Sequence, residues 1–318
     1  IFFRVLALGA MPPTKMAEAV YVAATKQFTG KTTTCCALLS GLQTRFPRVG
    51  YMKPVGQVDE VVLDANGQEA HVDKDVRLFR EYFKLHHCDY YDMSPVMIRS
   101  GYTKRFLDGE VDPQKQLADI QRGFSNLQRV NDFMVVEGTG HCGVGSIIGL
   151  DNAWVAKQLG LDMVLICSAG LGSTFDELML NQLKCEQHDV KIRGVIMNRV
   201  RPSLMDKTRE YLEKALARWN VPLIGCVPYY TYFPTLADLE NLFDSQLLTG
   251  HEERSRRFDS IQLVATSLAS FLQKVHLPEF QNTLWILHAT RTDLLQGVLE
   301  HIEEHKAAGG HWGGGLVL

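Results

Sequence analysis

A short segment rich in hydroxyl groups and lysine lies between an apolar run and a helical pattern. The run Val20–Ala24 leads directly into residues 25–33, TKQFTGKTT, where the helical pattern begins. A turn of this kind aims successive backbone N–H groups at a phosphate bound at the helix N-terminus. Gly30 lets the backbone approach closely, Lys31 neutralises the β- and γ-phosphate oxygens, and the Thr32 hydroxyl can ligate Mg²⁺. The segment therefore predicts a phosphate-binding loop, with threonine in place of the usual first glycine.

Every residue of this loop is a candidate nucleotide contact: Thr25, Lys26, Gln27, Phe28, Thr29, Gly30, Lys31, Thr32 and Thr33. Lys26 has the spacing Lys-x-x-x-Gly-Lys-Thr, in which an additional lysine reaches the phosphates, often across a dimer. We therefore predict that both Lys26 and Lys31 are catalytic residues. The alternatives are a solvent-exposed loop lysine at Lys26 and, for the whole segment, a helix cap without a ligand.

Two more charged residues follow apolar runs. Lys53 comes directly after Val49–Met52, and Pro54 behind it indicates a sharp turn of the chain. A lysine here would add positive charge near a transferred phosphoryl group or an anionic substrate, so Lys53 is the third candidate catalytic residue.

Glu137 follows the apolar run Phe133–Val136, where a carboxylate can bind Mg²⁺ directly or through water. Its alternative role is to cap the glycine-rich turn that follows.

Two candidate contacts to a nucleotide base lie at the ends of later apolar runs. Asn198 follows Val195–Met197, and its carboxamide can pair with the edge of an adenine. Pro228 follows Leu223–Val227 and can flank the ring. A core or turn asparagine is the alternative for Asn198.

The elements that must position these side chains alternate along the chain. Six apolar runs are predicted as buried strands, and the segments between them have helical periodicity. Strand–helix alternation with short connections predicts an α/β fold with a doubly wound, mostly parallel sheet of the P-loop NTPase type. In this architecture ligands bind at the carboxyl ends of the strands, which is where all the candidates lie. The six strands are 20–24, 49–52, 133–136, 163–167, 195–197 and 223–227, and the helices are 32–46, 73–85, 114–130, 151–159, 175–188 and 203–219.

The pattern changes after residue 228. Segments 236–242, 254–275 and 293–305 read as helical, and 284–288 reads as a new strand. We predict a leader at residues 1–17 that is disordered, a nucleotide-binding domain at 18–245, and linker helices with the start of a truncated second α/β domain at 246–318. The apolar run at 316–318 follows a glycine-rich turn and is expected to begin a strand.

Composition excludes several classes of protein. The 318 residues carry a formal net charge of −3 and no long block of like charge, so a bulk nucleic-acid binder is not expected. No apolar run is long enough to span a membrane. The seven cysteines form no CxxC pair, and this pattern predicts free thiols in a cytoplasmic protein.

Four further motifs accompany the loop in order: GYMKPV at 50–55, VVEGTG at 135–140, VIMNR at 195–199 and PLIGCVP at 222–228. Together they resemble dethiobiotin synthetase and its relatives, including the ATP-binding parts of cobyrinic acid a,c-diamide synthase. Within this group the sequence looks most like the amino-terminal region of long-form phosphate acetyltransferases. There a similar module precedes a DRTGG domain, and residues 284–293 resemble the start of that domain.

The resemblance implies further site residues and partners. Asp75, in VDKDVRL at 72–78, matches the family's metal-associated aspartate, so Thr32, Asp75 and Glu137 become the predicted metal ligands. Asp75 could instead be a first-turn acid of a helix capped by Asp73. The implied cofactors are ATP and Mg²⁺, and the implied assembly is a homodimer. A small anionic metabolite is a further expected partner, with no role for nucleic acid or membrane.

These observations predict a Mg-ATP-binding protein that hydrolyses ATP or transfers its γ-phosphoryl group in a regulatory or metabolic role. One alternative is an ATP-dependent ligase of the dethiobiotin synthetase or cobyrinic acid amidation type, which activates a carboxylate or carbamate. Another is a non-catalytic module that senses nucleotide.

Overall fold

The computed structural model describes residues 17–64, 66–230, 233–310 and 312–318. The predicted leader falls outside this range except for its last residue. The described chain forms two compact units that divide between Tyr229 and Tyr230. The domain limits drawn from the sequence, 18–245 and 246–318, stay a prediction.

The first unit contains ten strands and eight α-helices among its described residues. The strands are β1 (Glu18–Ala24), β2 (Val49–Met52), β3 (Val55–Gly56), β4 (Asp59–Leu63), β5 (Glu69–Asp73), β6 (Val96–Met97), β7 (Phe133–Glu137), β8 (Met163–Ser168), β9 (Ile192–Val200) and β10 (Leu223–Pro228). The helices are α1 (Lys31–Gln43), α2 (Lys74–Tyr82), α3 (Tyr90–Met93), α4 (Tyr102–Leu107), α5 (Pro113–Val130), α6 (Asn152–Gln158), α7 (Gly172–Gln187) and α8 (Met205–Ala217).

Six of these strands form one sheet in the order β10-β9-β8-β1-β7-β2. Every pairing in this sheet is parallel, which confirms the predicted α/β fold with a mostly parallel sheet. The inner strands are apolar on both faces, as in Tyr21–Ala24 and Val135–Val136, because both faces of a parallel sheet are buried. From β1 the chain proceeds to β2 and β7 on one side and then to β8, β9 and β10 on the other. The carboxyl end of β1 is therefore at the switch point where such sheets bind ligands.

Side-chain caps set the starts of the helices that flank the sheet. Asp73, Asp112 and Asp151 accept hydrogen bonds from backbone N–H groups of the first turns of α2, α5 and α6. Pro113 occupies the first position of α5, where it removes no intrahelical hydrogen bond. These caps fix the starts of the helices, including the direct junction of β5 and α2, which places the candidate Asp75 in the first turn of α2.

The second unit has a smaller parallel sheet in the order β11-β12-β13. Its elements are α9 (Leu236–Phe243), β11 (Ser260–Leu263), α10 (Leu268–Val275), β12 (Thr283–Ile286), α11 (Thr292–Ala307) and β13 (Gly315–Val317). Phe271, Trp285, Leu294 and Val298 form its core. The predicted continuous helix over 254–275 is wrong: residues 260–263 pair with β12, and that pairing overrides a weak helical periodicity.

No helix within the described ranges is long and apolar enough to cross a membrane.

Candidate phosphate-binding and metal site

The predicted loop lies between β1 and α1. Gly30 is the N-cap of α1 and has a left-handed backbone, with φ 86° and ψ 35°. Phe28 also has a positive φ of 58°, and its side chain is 86% exposed. Two positive-φ residues in three bend the loop sharply just before the helix. The first N–H groups of α1, which have no partner inside the helix, are thereby left facing the loop.

The end of β9 supports this turn. Asn198 is buried and donates a hydrogen bond from Nδ2 to the carbonyl oxygen of Thr29 at 2.8 Å. Its Oδ1 accepts a hydrogen bond from the backbone N–H of Arg199 at 2.9 Å. The structure thus brings the predicted base contact against the loop backbone. Pro228 lies at the carboxyl end of the neighbouring strand β10, and the base-binding roles of both residues stay predictions.

Helix α7 holds the beginning of the loop. The Thr25 hydroxyl donates to Glu177 Oε2 at 2.9 Å, and the Lys26 ammonium donates to Oε1 of the same carboxylate at 2.7 Å. Asn181, one turn later, donates to the carbonyl oxygen of Thr25 at 3.1 Å. Lys26 is therefore paired with a carboxylate of α7, and its predicted contact with phosphate stays a prediction.

Oxygen atoms from three elements meet at the start of α1. The Thr32 hydroxyl lies 3.0 Å from Glu137 Oε1, at the end of β7, and 3.4 Å from Asp75 Oδ2, in the first turn of α2. Tyr51 in β2 donates to the other oxygen of Glu137 at 2.9 Å. The three predicted metal ligands are therefore neighbours although they lie far apart in sequence.

Lys53 completes this cluster. Its ammonium lies 3.0 Å from Asp73 Oδ1 and is also paired with Asp75 Oδ2. All three side chains are buried. Asp73 caps α2 by accepting from the backbone N–H of Asp75 at 2.9 Å, as the sequence suggested. The cap and a role for Asp75 at the site are thus compatible.

Burial and charge shift the ionisation of these groups. Burial raises the pKa of Glu137, and neighbouring Asp75 raises it further, while Lys53 and Lys31 act in the opposite direction. Burial also lowers the pKa of Lys31. Burial alone would lower the pKa of Lys53 too, but Glu137, Asp73 and Asp75 outweigh it and the pKa is raised.

Opposing effects also act on Asp73. Burial would raise its pKa, yet Lys53 and the backbone N–H donors hold the pKa below its usual value. Lys53 and Asp73 are therefore a charged pair at neutral pH.

The donor set fits Mg²⁺. A threonine hydroxyl and two carboxylates supply the hard oxygen ligands that Mg²⁺ prefers, and Mg²⁺ is commonly held by one or two carboxylates together with phosphate oxygens. In the described ranges no group of three His, Cys, Asp or Glu residues has a geometry that could hold a metal ion. The threonine hydroxyl together with water or phosphate oxygens would complete the coordination that Asp75 and Glu137 begin.

Sequence reasoning missed several residues of this site, among them Tyr51 and Glu177. Tyr51 lies in a wholly buried strand, where a hydroxyl group needs a hydrogen-bond partner, so its polar atom was a usable signal. Glu177 lies inside α7, and nothing in the sequence indicated that this turn of the helix would lie against the loop.

Comparison with known proteins agrees with the motifs. Residues 18–233 match the AAA_26 family, described as an AAA domain. Phosphate acetyltransferase from Synechocystis is 25% identical over 292 residues, covering 90% of this chain and 40% of that protein. The ATP-dependent dethiobiotin synthetase BioD of Aromatoleum aromaticum is 26% identical over 218 residues, covering 67% of this chain and 91% of that enzyme.

One similar solved structure is the signal recognition particle 54 kDa protein of Aeropyrum pernix in complex with GDP. The match covers 69% of this chain and 43% of the chain in that structure. Its sequence identity is 14% and its TM-score is 0.43.

The match to phosphate acetyltransferase covers less than half of that protein's length. The similarity to phosphate acetyltransferase and dethiobiotin synthetase expected from the motifs is confirmed, whereas the DRTGG resemblance of the second unit stays a prediction. With its loop, its parallel sheet and a family match over residues 18–233, the chain belongs to the AAA_26 family of AAA domains.

Proposed function

We propose that this chain binds Mg-ATP and hydrolyses it or transfers its γ-phosphoryl group. The observation that carries the proposal is the position of Thr32. Its hydroxyl belongs to the phosphate-binding loop and lies within 3.4 Å of both Asp75 and Glu137. One group thus links the segment that would hold phosphates to the acids that would hold a metal.

The chain's own residues divide the work. Backbone N–H groups of the loop and the Lys31 ammonium bind the phosphates, and Thr32, Asp75 and Glu137 hold Mg²⁺. When bound, the metal neutralises phosphate charge and orients the oxygens.

Lys53 provides positive charge beside the transferred group, and Lys26 reaches phosphate after leaving Glu177. The Asn198 carboxamide pairs with the edge of the adenine, and Pro228 flanks the ring.

The similarity to phosphate acetyltransferase supports a regulatory or metabolic role in the cytoplasm. We include in the proposal a homodimer and a small anionic metabolite as partners, and a DRTGG-like second domain. Nucleic acid and membrane have no part in it.

Titration calorimetry with ATP in millimolar Mg²⁺ tests the proposal. Lys31→Ala should weaken ATP binding about 10- to 100-fold, because charge-assisted hydrogen bonds contribute roughly 1.5–3 kcal/mol each. Lys157→Ala is the control, because Lys157 is an exposed lysine of α6 paired with Asp189. Equal ATP affinity in Lys31→Ala and the unaltered chain would contradict the proposal.

An ATP-dependent ligase is the second candidate. The match to dethiobiotin synthetase BioD over 91% of that enzyme favours it. A buried lysine beside the acid cluster also suits a carboxylate or carbamate that is activated by phosphorylation. ATP turnover that requires an added amine and carboxylate would favour the ligase, slow intrinsic turnover the hydrolase, and binding without turnover a nucleotide sensor.

A further inference from the structure

One ammonium group serves two buried carboxylates at the candidate metal site. Lys53 Nζ lies 3.0 Å from Asp73 Oδ1 and also contacts Asp75 Oδ2. Exposure of the three residues is 8%, 0% and 7% respectively, so water offers little alternative solvation. A buried charge without a partner is costly, and both acids therefore depend on Lys53.

The two acids differ in how firmly they are held. Asp73 Oδ1 accepts from the N–H of Asp75, and its Oδ2 accepts from the N–H groups of Gln57 and Val58 at 2.8 and 3.2 Å. These bonds fix Asp73 to the start of α2 and to the segment between β3 and β4. Within the described residues, the side-chain contacts of Asp75 are with Lys53 and with the Thr32 hydroxyl. Asp75 is thus the acid whose partner can be exchanged.

A bound metal ion would change the balance of charge around Asp75. Three acids, Asp73, Asp75 and Glu137, and two lysines, Lys31 and Lys53, interact at this site. The same oxygen of Asp75 faces both the Lys53 ammonium and the Thr32 hydroxyl, so a cation bound by Thr32 and Asp75 would meet Lys53 at contact distance. A divalent cation carries twice the charge of an ammonium group, so its repulsion of Lys53 at such a distance would be about twice that between two unit charges.

We propose that Lys53 is the resident counter-ion of Asp75 in the metal-free protein, and that it gives up Asp75 and keeps Asp73 when a divalent cation binds. Lys53 is thereby a positioning residue that sets the metal affinity. Its ammonium becomes free to meet an anionic group only after the metal is in place. The proposal rests on the proposed metal ligands Thr32, Asp75 and Glu137.

Binding of Mn²⁺, a hard divalent surrogate for Mg²⁺, tests this without turnover. The free-ion signal in electron paramagnetic resonance gives the affinity of the nucleotide-free chain. Lys53→Met removes the competing charge at similar length and should tighten Mn²⁺ binding about tenfold. Lys53→Arg keeps the charge, so its Mn²⁺ affinity should lie closer to that of the unaltered chain than to that of Lys53→Met. Lys157→Met removes an exposed lysine of α6 and should change nothing.

Asp75→Asn separates the two proposals. If Asp75→Asn binds Mn²⁺ as well as the unaltered chain, the metal site itself is wrong. If Asp75→Asn weakens binding while Lys53→Met leaves it equal or weaker, the metal site stands and the counter-ion role of Lys53 is overturned.

The unaltered chain gives an answer that needs no charge-removing variant. The ¹⁵N signal of the Lys53 ammonium, assigned by its loss in Lys53→Arg, should shift during a Mg²⁺ titration with the same midpoint as metal binding. A signal that stays in place at saturating Mg²⁺ would overturn the proposal even if Lys53→Met fails to fold.

Discussion

The carboxamide of Asn198 occupies the space into which a Cβ atom on Gly30 would project. A methyl group there would be in hard contact with Asn198 Nδ2, which is bonded to the Thr29 carbonyl. The left-handed φ of 86° at Gly30 adds a second restriction, because residues with a Cβ rarely adopt it. Strand β9 and the first helix therefore define the loop together.

Gly30→Ala should destabilise the first unit by about 1–3 kcal/mol and weaken ATP binding at least as much as Lys31→Ala. Gly41→Ala, in the same helix α1, is the matched control, since its Cβ would meet nothing within 4 Å. That control should be neutral or stabilising by up to about 1 kcal/mol. Urea unfolding and calorimetry give both quantities, and equal behaviour of the two variants would contradict the role of Gly30.

Tyr51→Phe should cost roughly 1–3 kcal/mol of folding stability, because it removes the hydrogen bond to a buried carboxylate. This bond favours the ionised form of Glu137 and lowers its pKa against the effect of burial. The cost should therefore be larger at pH 8 than at a pH where Glu137 is protonated. Chemical denaturation at several pH values measures it, with exposed Tyr82→Phe as the control. If the stability lost in Tyr51→Phe did not depend on pH, the hydrogen bond from Tyr51 to ionised Glu137 would be contradicted.

Glu177→Ala should cost about 1–2 kcal/mol, mainly because it leaves the buried Thr25 hydroxyl without its acceptor. The partly exposed ion pair with Lys26 should add only about 0.2–1 kcal/mol, measured as the coupling in a double-mutant cycle with Lys26→Ala. Glu186→Ala, on an exposed part of α7, should be close to neutral. An equal cost for Glu177→Ala and Glu186→Ala would show that the loop does not depend on α7.

The second unit should lose stability as the pH falls below about 6.5. Burial lowers the pKa of His301, and His276 and His305 lower it further, while Glu304 acts in the opposite direction. The rings of His276 and His301 are 4.5 Å apart, and those of His301 and His305 are 5.9 Å apart. The unfolded chain binds a proton at His301 more readily than the folded chain does. Stability is therefore lost as the pH falls from the pKa of His301 in the unfolded chain to its lower pKa in the folded chain. His301→Gln should flatten this pH dependence in thermal unfolding, whereas exposed His288→Gln should not.

Much of the fold could be predicted because buried parallel strands are continuous apolar runs. All six predicted strands of the first unit lie within observed strands, and Glu137 ends β7 as expected. The antiparallel pair β4 and β5 was missed, because DEVVL and EAHVD are short and neither is a continuous apolar run. The strand β11 was read as helix for the related reason that SIQL is too short to show a period.

The candidate site was predictable where a residue type has one usual task beside a phosphate. Thr32, Asp75 and Glu137 lie together as neighbours, although their metal role is still a proposal. Contacts that depend on which helix turn lies against the loop could not be found, as with Glu177 and Asn181. These contacts join residues that are more than 150 positions apart in the sequence, and no local sequence pattern encodes such a contact.

The ring of Phe28, in the predicted phosphate-binding loop, is exposed and would gain hydrophobic free energy if another group covered it. A phenylalanine side chain that passes from water to a fully covered position gains about 1.5–3 kcal/mol. This gain would strengthen the binding of any group that covers the ring, whether a base, another copy of the chain or a different protein. Closure over Phe28 would therefore carry a negative heat-capacity change, a signature that polar contacts to phosphate do not produce.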